Sequence, residues 1–223
     1  MDKQVKSKQR VADFGEALTP KWIVNAMLDL VKPETERIDS RFLEPACGTG
    51  NFLTEILERK LCVVEKRYGK SQLDYERYAI LAVSSIYGIE ILEDNVQECR
   101  KRLFDIVDRA YMALFPKTAK SQFLETVRFI LERNIIWGDA LTLKTVGEKP
   151  KHIVFSEWSL VNGSLMKRRD FTFHSLLEHQ SVKELPLFSD MGEDVFIPQP
   201  VQEYPPVHFL KIGSANESAN KRE

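Results

Sequence analysis

The stretch Phe42-Leu-Glu-Pro-Ala-Cys-Gly-Thr-Gly-Asn-Phe-Leu53 decides the fold of this chain. Its apolar start predicts the end of a buried strand, Gly48 and Gly50 follow Glu44, and an amphipathic helix begins after them. Glycines at a strand-to-helix turn let a ligand approach the backbone closely, in the crevice where open α/β sheets bind nucleotides. The stretch therefore predicts an α/β fold with a ligand site at the carboxyl end of this strand.

The charge of Glu44 limits the kind of ligand. A carboxylate beside a pyrophosphate would be repelled, and the stretch lacks the third glycine of a dinucleotide site and the Gly-Lys-Ser/Thr ending of a P-loop. An acidic residue at this position suits a ligand with a cationic end. S-adenosylmethionine carries both a sulfonium and an ammonium, so it is the ligand that these residues favour.

Two later strands are also expected to end at acidic residues. Residues 86–91 form a β-branched run that predicts a parallel strand containing Glu90, and residues 134–141 predict a third strand and turn containing Asp139. A carboxylate after the second strand can accept hydrogen bonds from both ribose hydroxyls. Asp139 alone could be an ordinary turn residue, but three acidic strand endings in this order indicate a nucleoside-containing cofactor.

The segments between these strands predict helices. Apolar residues repeat at helical spacing after Asn51, over about residues 73–85, after Asp94 and up to about Arg133. Strands that alternate with helices predict a doubly wound, mostly parallel α/β sheet, which we assign to one domain over residues 14–180. The chain has 223 residues, which is long enough to bury one such core.

The chain before the first strand predicts a polar arm and one more helix. For the arm, residues 1–13, two interpretations stay open: a disordered terminus or a basic contact to DNA phosphates. The Thr19 hydroxyl can cap the helix, and Pro20 fits its first turn. The apolar face of this helix is expected to hold Trp22, Ile23, Met27 and Val31.

The chain after the domain predicts less regular structure. Residues 181–212 contain five prolines and little periodicity, which predicts an irregular, Pro-rich C-terminal extension that wraps the surface. Residues 213–223 are polar and predict a solvated tail. Just before the extension, residues 167–173 combine three basic with two aromatic side chains, which suits either DNA contact or an amphipathic β-hairpin at a sheet edge.

Composition narrows the possible functions. The net charge of −1 provides no overall attraction to nucleic acid, so any contact with DNA must come from a local patch. Cys47, Cys62 and Cys99 lack metal-ligand spacing, which predicts reduced thiols and no zinc site. The charged start does not resemble a signal peptide, and no long uncharged apolar run predicts a membrane span. We therefore expect a cytoplasmic protein with no metal and no membrane contact.

The stretch from Leu43 to Leu53 resembles the first motif of the amino-methylating DNA methyltransferases, in particular the adenine-N6 group that includes the modification subunits of restriction systems. The segment Gly15-Glu-Ala-Leu-Thr-Pro20 is similar to a family segment that closes over the methionine end of the cofactor. The resemblance covers about residues 14–155. It implies a Rossmann-like methyltransferase fold, S-adenosylmethionine as the cofactor, and methyl transfer to an exocyclic amine in DNA, namely adenine N6.

The resemblance also implies which residues contact the cofactor. At and before the first motif these are Thr19, Pro20, Glu44, Pro45, Ala46, Cys47, Gly48 and Gly50. After the second strand, Glu90 and Ile91 would hold the ribose. After the third strand, Asp139 would accept a hydrogen bond from the exocyclic amine of adenine, while Ala140 packs against the ring.

The catalytic loop departs from the family pattern. In the family, a polar residue, two prolines and an aromatic residue follow the fourth strand, where they hold the target amine and stack on a flipped base. Here residues 152–155 predict the fourth strand, and Ser156-Glu-Trp-Ser159 follows without prolines. Ser156 could accept a hydrogen bond from the amine and Trp158 could stack on the base. Trp158 could equally be a buried core residue.

Two functions stay open at this point. One is a DNA adenine-N6 methyltransferase that acts alone or only with a partner subunit or as a homo-oligomer. The other is a catalytically inactive relative that serves as the cofactor-binding or structural subunit of a modification complex. Methylation of RNA or protein uses the same fold, and the fold alone does not distinguish these substrates.

Overall fold

The structure, a computed structural model, describes residues 9–10, 19–177 and 199–217. Its centre is a four-stranded sheet in the order β1-β2-β3-β4. The strands are β1 Phe42–Glu44, β2 Ile86–Glu90, β3 Ile135–Asp139 and β4 Lys144–Thr145. The first three are parallel, and the short β4 is antiparallel to β3. An α/β fold with a mostly parallel sheet is therefore confirmed.

Helices connect the parallel strands, as the apolar spacing predicts. Two helices precede β1, namely α1 Lys21–Asp29 and α2 Lys32–Thr35. The connecting helices are α3 Asn51–Tyr68, α4 Gln72–Ser84, α5 Glu93–Leu114 and α6 Ser121–Asn134. Two helices lie between β1 and β2, and two more lie between β2 and β3. The ends of neighbouring strands, Glu44 and Glu90, are therefore far apart in the sequence.

The buried face of α5 shows why this segment is a helix. Its apolar core positions, Val96, Cys99, Leu103, Ile106 and Val107, recur at the three- and four-residue spacing that puts side chains on one face. The same spacing buries Leu53, Ile56, Leu57, Leu61 and Val64 in α3. Both stripes belong to one core on the helical side of the sheet.

The prediction of which face α1 buries is wrong. Val24 and Leu28 are buried, whereas Trp22 and Met27 are 73% and 51% exposed and Val31 is also exposed. The expected Thr19 cap is absent as well, because Pro20 occupies the cap position and no side chain bonds to the first amides. A helix of nine residues at the edge of the core buries only one narrow stripe.

The two faces of the sheet are covered differently. Side chains alternate along β2, so Ile86 faces the helices whereas Tyr87 and Ile89 face the other side. On that side they form a second core cluster with Ile153, Phe155 and Phe173. The chain after β4, and not a crossover helix between parallel strands, therefore covers the second face.

Residues 154–172 form an antiparallel hairpin. β5 Val154–Asn162 pairs with β6 Leu165–Thr172, and Gly163 lies at the turn. The hairpin expected as one of two interpretations of residues 167–173 is confirmed. The prediction of a loop at residues 156–159 is wrong, because these residues continue β5 and pair with β6 in unbroken register.

Strand β1 lies at an edge of the central sheet. It pairs with β2, and no other strand in the described ranges pairs with it. In a doubly wound sheet, the fourth strand would pair with the free edge of β1. Here residues 152–155 lie on the far side of the sheet instead, where His152 forms an antiparallel bridge with Lys144.

The C-terminal residues that the structure describes add to the hairpin and the core. β7 Gln202–Glu203 and β8 Val207–His208 pair with β6, and a 3-10 turn at Phe209–Lys211 leads into α7 Ile212–Glu217. Phe209 is buried, and its carbonyl accepts a hydrogen bond from the Thr126 hydroxyl. Residues 213–217 of the expected solvated tail are helical, and Ser214 is exposed.

Several sequence predictions concern residues outside the described ranges. Residues 181–198 of the expected C-terminal extension and residues 218–223 of the expected tail belong to this group. In the polar arm, only residues 9–10 are described, and they are helical. Arg10 forms a two-pronged ion pair with Asp94 near the start of α5, with N···O distances of 2.7 and 3.1 Å. This guanidinium therefore has an acidic partner within the chain.

Candidate functional site

The glycine loop, residues 45–50, joins β1 to α3 at the carboxyl end of β1. Gly48 and Gly50 have φ angles of +52° and +86°, in the left-handed region that favours glycine. A Cβ atom on Gly50 would also lie 2.6 Å from the Cys99 sulfur. The backbone therefore favours glycine at both positions, and close packing adds a second reason at Gly50.

The carboxylate of Glu90 holds the glycine loop against β2. Glu90 is 7% exposed, and its Oε2 accepts a hydrogen bond from the Gly48 N–H at 2.8 Å. Its Oε1 accepts a bond from the Leu92 N–H at 3.0 Å and lies 3.5 Å from the Asn95 side-chain amide. A carboxylate has about four acceptor positions, so these three bonds leave about one for a hydroxyl group of a ligand.

Two further side chains hold the loop in place, and no sequence pattern points to them. Arg102 donates to the Thr49 carbonyl at 2.7 Å and to Asn51 Oδ1 at 2.8 Å. Asn51 in turn donates to the Thr19 carbonyl at 2.9 Å. Arg102 lies on α5. Because 53 residues separate it from Thr49, no local pattern signals the contact.

Two cavities flank the glycine loop. The larger, of about 660 Å³, is lined by Thr19, Pro20 and charged residues of α3 and α5. The smaller, of about 230 Å³, is lined by apolar residues of α1 and α3, by β1 and by Glu44. The expected contact residues Thr19 and Pro20 therefore lie beside the loop, whereas Glu90 and Asp139 line neither of these two cavities.

Glu44 borders the smaller cavity and is half-buried. Burial raises the pKa of its carboxyl above the usual value, and a hydrogen bond from the Ala46 N–H partly opposes this shift. Within the described ranges, no Lys or Arg forms an ion pair with Glu44. A cationic ligand group placed here would therefore give Glu44 the charge partner that the described part of the chain does not supply.

The other motif residues divide into accessible and buried positions. Pro45 and Ala46 are exposed on the loop. Cys47 is buried, and its N–H donates to the Ile89 carbonyl at 2.9 Å. The pKa of the Cys47 thiol is raised by a hydrogen bond with the Cys99 thiol and by burial. Cys47 therefore anchors the loop to β2, whereas Pro45 and Ala46 are accessible to a ligand.

The acidic strand ends form a slanted row. Glu44 lies opposite Gly88, and Glu90 lies opposite Trp137, so each strand ends two residues beyond its neighbour. A strand spacing of about 4.8 Å and a rise of about 3.3 Å per residue put the Cα atoms of Glu44 and Glu90 about 8 Å apart, and those of Glu44 and Asp139 about 16 Å apart. Only an extended ligand could contact the whole row.

Asp139 lies at the far end of the row and holds a turn. Its Oδ1 accepts a hydrogen bond from the Leu141 N–H at 2.9 Å, and its Oδ2 accepts one from the Thr142 hydroxyl at 3.0 Å. The Leu141 bond is the main reason that the pKa of Asp139 is lowered. Ala140 packs against the second core cluster, and Ile91 is exposed beside the row. The turn interpretation of Asp139 is confirmed, and its contact with adenine stays a prediction.

Ser156 and Trp158 are buried in the hairpin. Trp158 is 5% exposed, and its indole N–H donates to Asn134 Oδ1 at 3.0 Å. Ser156 is 2% exposed, and its hydroxyl donates to Asp170 Oδ1 at 2.8 Å. The buried-aromatic interpretation of Trp158 is therefore confirmed. Both polar groups have partners inside the protein.

Contacts with the amino ends of three strands fix the position of these residues. Arg41, directly before β1, pairs with Glu157, and Tyr87 near the start of β2 donates to the Ser156 carbonyl at 3.0 Å. Asn134, the partner of Trp158, directly precedes β3. The glycine loop lies at the opposite, carboxyl edge, about 13 Å away along a five-residue strand. The structure therefore does not bring Ser156 and Trp158 to the loop.

The three basic residues of the hairpin have acidic partners. Lys167 pairs with Glu203 at 2.7 Å, and Arg168 pairs with Asp170 at 2.6 Å. Arg169 pairs with Glu157. The Lys167 and Arg169 pairs tie β6 to β7 and β5, whereas the Arg168 pair lies within β6. The basic side chains therefore stabilise the hairpin and do not form an unpaired phosphate-binding patch.

No other class of site is visible in the part of the chain that the structure describes. It contains no group of three His, Cys, Asp or Glu side chains placed to hold a metal ion. It also contains no helix that is long and apolar enough to cross a membrane. Comparisons with models of known protein families, with curated proteins and with solved structures gave no match to this chain.

Proposed function

We propose that this chain binds S-adenosylmethionine at the glycine loop and takes part in the methylation of adenine N6 in DNA. The observation that carries the proposal is the loop itself, with its two left-handed glycines. It lies between the Glu90 carboxylate, which holds the Gly48 N–H, and the Glu44 carboxylate, which has no cationic partner among the described residues. This arrangement suits a ligand with a cationic group at one end and hydroxyl groups at the other.

Each residue has a distinct task in this proposal. Glu44 attracts the ammonium or sulfonium, with Thr19 and Pro20 beside the methionine end. Glu90 uses its remaining acceptor capacity for a ribose hydroxyl while it continues to hold Gly48. Asp139 accepts from the adenine amine at the end of the slanted row. The bound cofactor would supply an electrophilic methyl group.

The protein's contribution to methyl transfer is positioning. An amine attacks a methyl carbon in line with the bond that breaks, so the reaction depends on orientation more than on an acid or a base. The target base must also leave the DNA stack, which costs a few kcal/mol that contacts with the enzyme must offset. Ser156 and Trp158 do not lie where they could make those contacts.

The placement of Ser156 and Trp158 favours a partner subunit or a second copy that supplies the amine-binding residues. We propose that the central sheet is part of a doubly wound, Rossmann-like sheet in which another strand pairs with the free edge of β1.

A second candidate function follows from the placement of Ser156 and Trp158, namely a cofactor-binding subunit with no catalytic residues of its own. Tritiated-methyl transfer to DNA, RNA and protein, with and without candidate partners, distinguishes the two.

Calorimetric titration with S-adenosylhomocysteine tests the cofactor site. We expect Glu44→Gln to weaken binding by about 1.5–3 kcal/mol, because a charged hydrogen-bond partner is lost. Glu203→Gln is the matched control, because it removes a carboxylate at the hairpin, and it should leave the affinity unchanged. Absence of saturable binding to the wild-type protein would contradict the proposal.

A further inference from the structure

Residues 144–152, which we term the lysine loop, lie beside the far end of the acidic row. Lys144 is opposite Asp139 in the antiparallel register, so their Cα atoms are about 5 Å apart. The loop carries Lys144, Lys149 and Lys151 but only one acidic residue, Glu148. All four of these side chains are exposed. Lys144 and Lys151 lie level with the last residues of β3, so the loop presents net positive charge beside the end of that strand.

Backbone hydrogen bonds hold the lysine loop in place. The Thr145 N–H donates to the Lys151 carbonyl at 2.8 Å, and the Lys151 N–H donates to the Thr145 hydroxyl oxygen at 3.0 Å. The Val146 N–H also donates to the Trp137 carbonyl at 3.3 Å. Just after the loop, the Ile153 N–H donates to the Leu143 carbonyl at 2.9 Å. The backbone on either side of the loop is therefore ordered before a ligand binds, so little backbone entropy is lost on binding.

The ammonium groups of this loop have no partner among the residues that the structure describes. Within the described ranges, the side chains of Lys144, Lys149 and Lys151 form no ion pair and no hydrogen bond. The basic side chains of the hairpin differ, because each of them neutralises a nearby carboxylate. The three lysines therefore contribute little to the fold and remain available to an anionic partner.

We propose that the lysine loop binds the phosphate backbone of duplex DNA. The choice of DNA rests on the proposed function, although the loop shares no residue with the cofactor site. Lysines that neutralise phosphates release counterions, and such contacts position DNA without reading its sequence. Because β4 is two strands from β2, the loop lies about 10 Å across the sheet from Glu90. DNA held there would lie beside the cofactor site.

The test uses a triple variant and a control with the same loss of charge. The variant is Lys144→Gln/Lys149→Gln/Lys151→Gln. The control is Lys66→Gln/Arg67→Gln/Lys70→Gln, at the end of α3 that is remote from the glycine loop. Binding of a fluorescent duplex of about 20 base pairs is measured by anisotropy between about 50 and 200 mM salt, the range over which phosphate contacts change affinity most clearly.

Each lost phosphate contact lowers the slope of log affinity against log salt by about 0.9, so the triple variant should lose up to about 2.7 from the slope. At the lowest salt its affinity should fall tenfold or more, whereas the control should bind like wild type. Equal losses in both variants, no loss in the triple variant or no binding by wild type would overturn the proposal. Equal competition by single-stranded RNA of the same length would overturn the assignment to duplex DNA.

Titration of the same triple variant with S-adenosylhomocysteine separates this inference from the proposed function. The variant should bind this cofactor product as wild type does. If wild type binds DNA through the lysine loop but does not bind S-adenosylhomocysteine, the proposed cofactor site fails and the DNA surface stands. If the cofactor product binds and the triple variant keeps its full affinity for DNA, the lysine loop fails and the cofactor site stands.

Discussion

The carboxyl and amino edges of the central sheet use their polar groups in opposite ways. At the carboxyl edge, Glu44 has no cationic partner in the described ranges, and Glu90 keeps about one acceptor position. At the amino edge, the polar groups of Ser156 and Trp158 are buried and bonded within the protein. Bonded buried groups stabilise a fold, whereas polar groups with unused capacity suit a ligand. The difference supports the proposal that the carboxyl edge binds a ligand while the amino edge stabilises the fold.

Lys60 is the clearest case at the amino edge. It is fully buried, and its ammonium donates to the Ile38 carbonyl at 3.1 Å, to the Ser85 hydroxyl at 2.6 Å and to the Ser40 carbonyl. These bonds tie the chain before β1 to the chain before β2. Burial nevertheless lowers the pKa of Lys60 to about 7. A charged group is thus used as a structural connector at this edge.

The largest expected effect comes from removing the indole at the amino edge. Trp158→Ala should lower the free energy of unfolding by about 3–5 kcal/mol, because a buried aromatic side chain leaves a cavity. Urea denaturation measures this change. Trp22→Ala is the control, because Trp22 is 73% exposed and its loss should cost little. If folded Trp158→Ala loses affinity for S-adenosylhomocysteine, the separation between the two edges is wrong.

A matched pair of glycines tests the carboxyl edge. Gly50→Val combines a left-handed backbone with a clash against Cys99, so it should cost about 2–4 kcal/mol of unfolding free energy and abolish cofactor binding. Gly163→Val at the hairpin turn has φ +53° but open space around it, so it should cost about 1–2 kcal/mol. Unchanged cofactor affinity in folded Gly50→Val would place the ligand elsewhere.

The pH dependence of stability tests the structural role of the amino edge. The pKa of Lys60 is about 7 in the folded protein, against an ordinary 10.5 in the unfolded chain. Between these values the unfolded chain binds more protons, so this group makes stability rise with pH by up to about 1.4 kcal/mol per unit. Below pH 7 its contribution is flat. Urea denaturation of wild type and Lys60→Met should show this slope in wild type only, and equal slopes would contradict the assignment.

The carboxyl edge could be predicted from sequence because its signals are local. A strand ending, two glycines and a helix start are consecutive in residues 42–53, and each requires only its neighbours. The acidic ends Glu90 and Asp139 follow β-branched runs that parallel strands favour. Long amphipathic helices such as α5 carry an equally local signal in their spacing.

The amino edge could not be predicted, because tertiary contacts decide it. Residues 156–159 suit either a loop or a strand, and pairing with β6 made them a strand. Arg102 bonds to a loop 53 residues away, which no periodicity signals. The exposed face of α1 has a similar cause, because the packing partner of a short helix decides which of its apolar residues are buried.

Amide chemical shifts recorded while S-adenosylhomocysteine is added test the division between the two edges most directly. We predict saturable shifts for Gly48, Gly50 and Leu92, whose N–H groups lie in or beside the glycine loop. The amides of Ser156 and Trp158 should not move, because they lie about 13 Å away at the other end of the strands. Absence of saturable shifts, or the largest shifts at Ser156 and Trp158, would contradict the account.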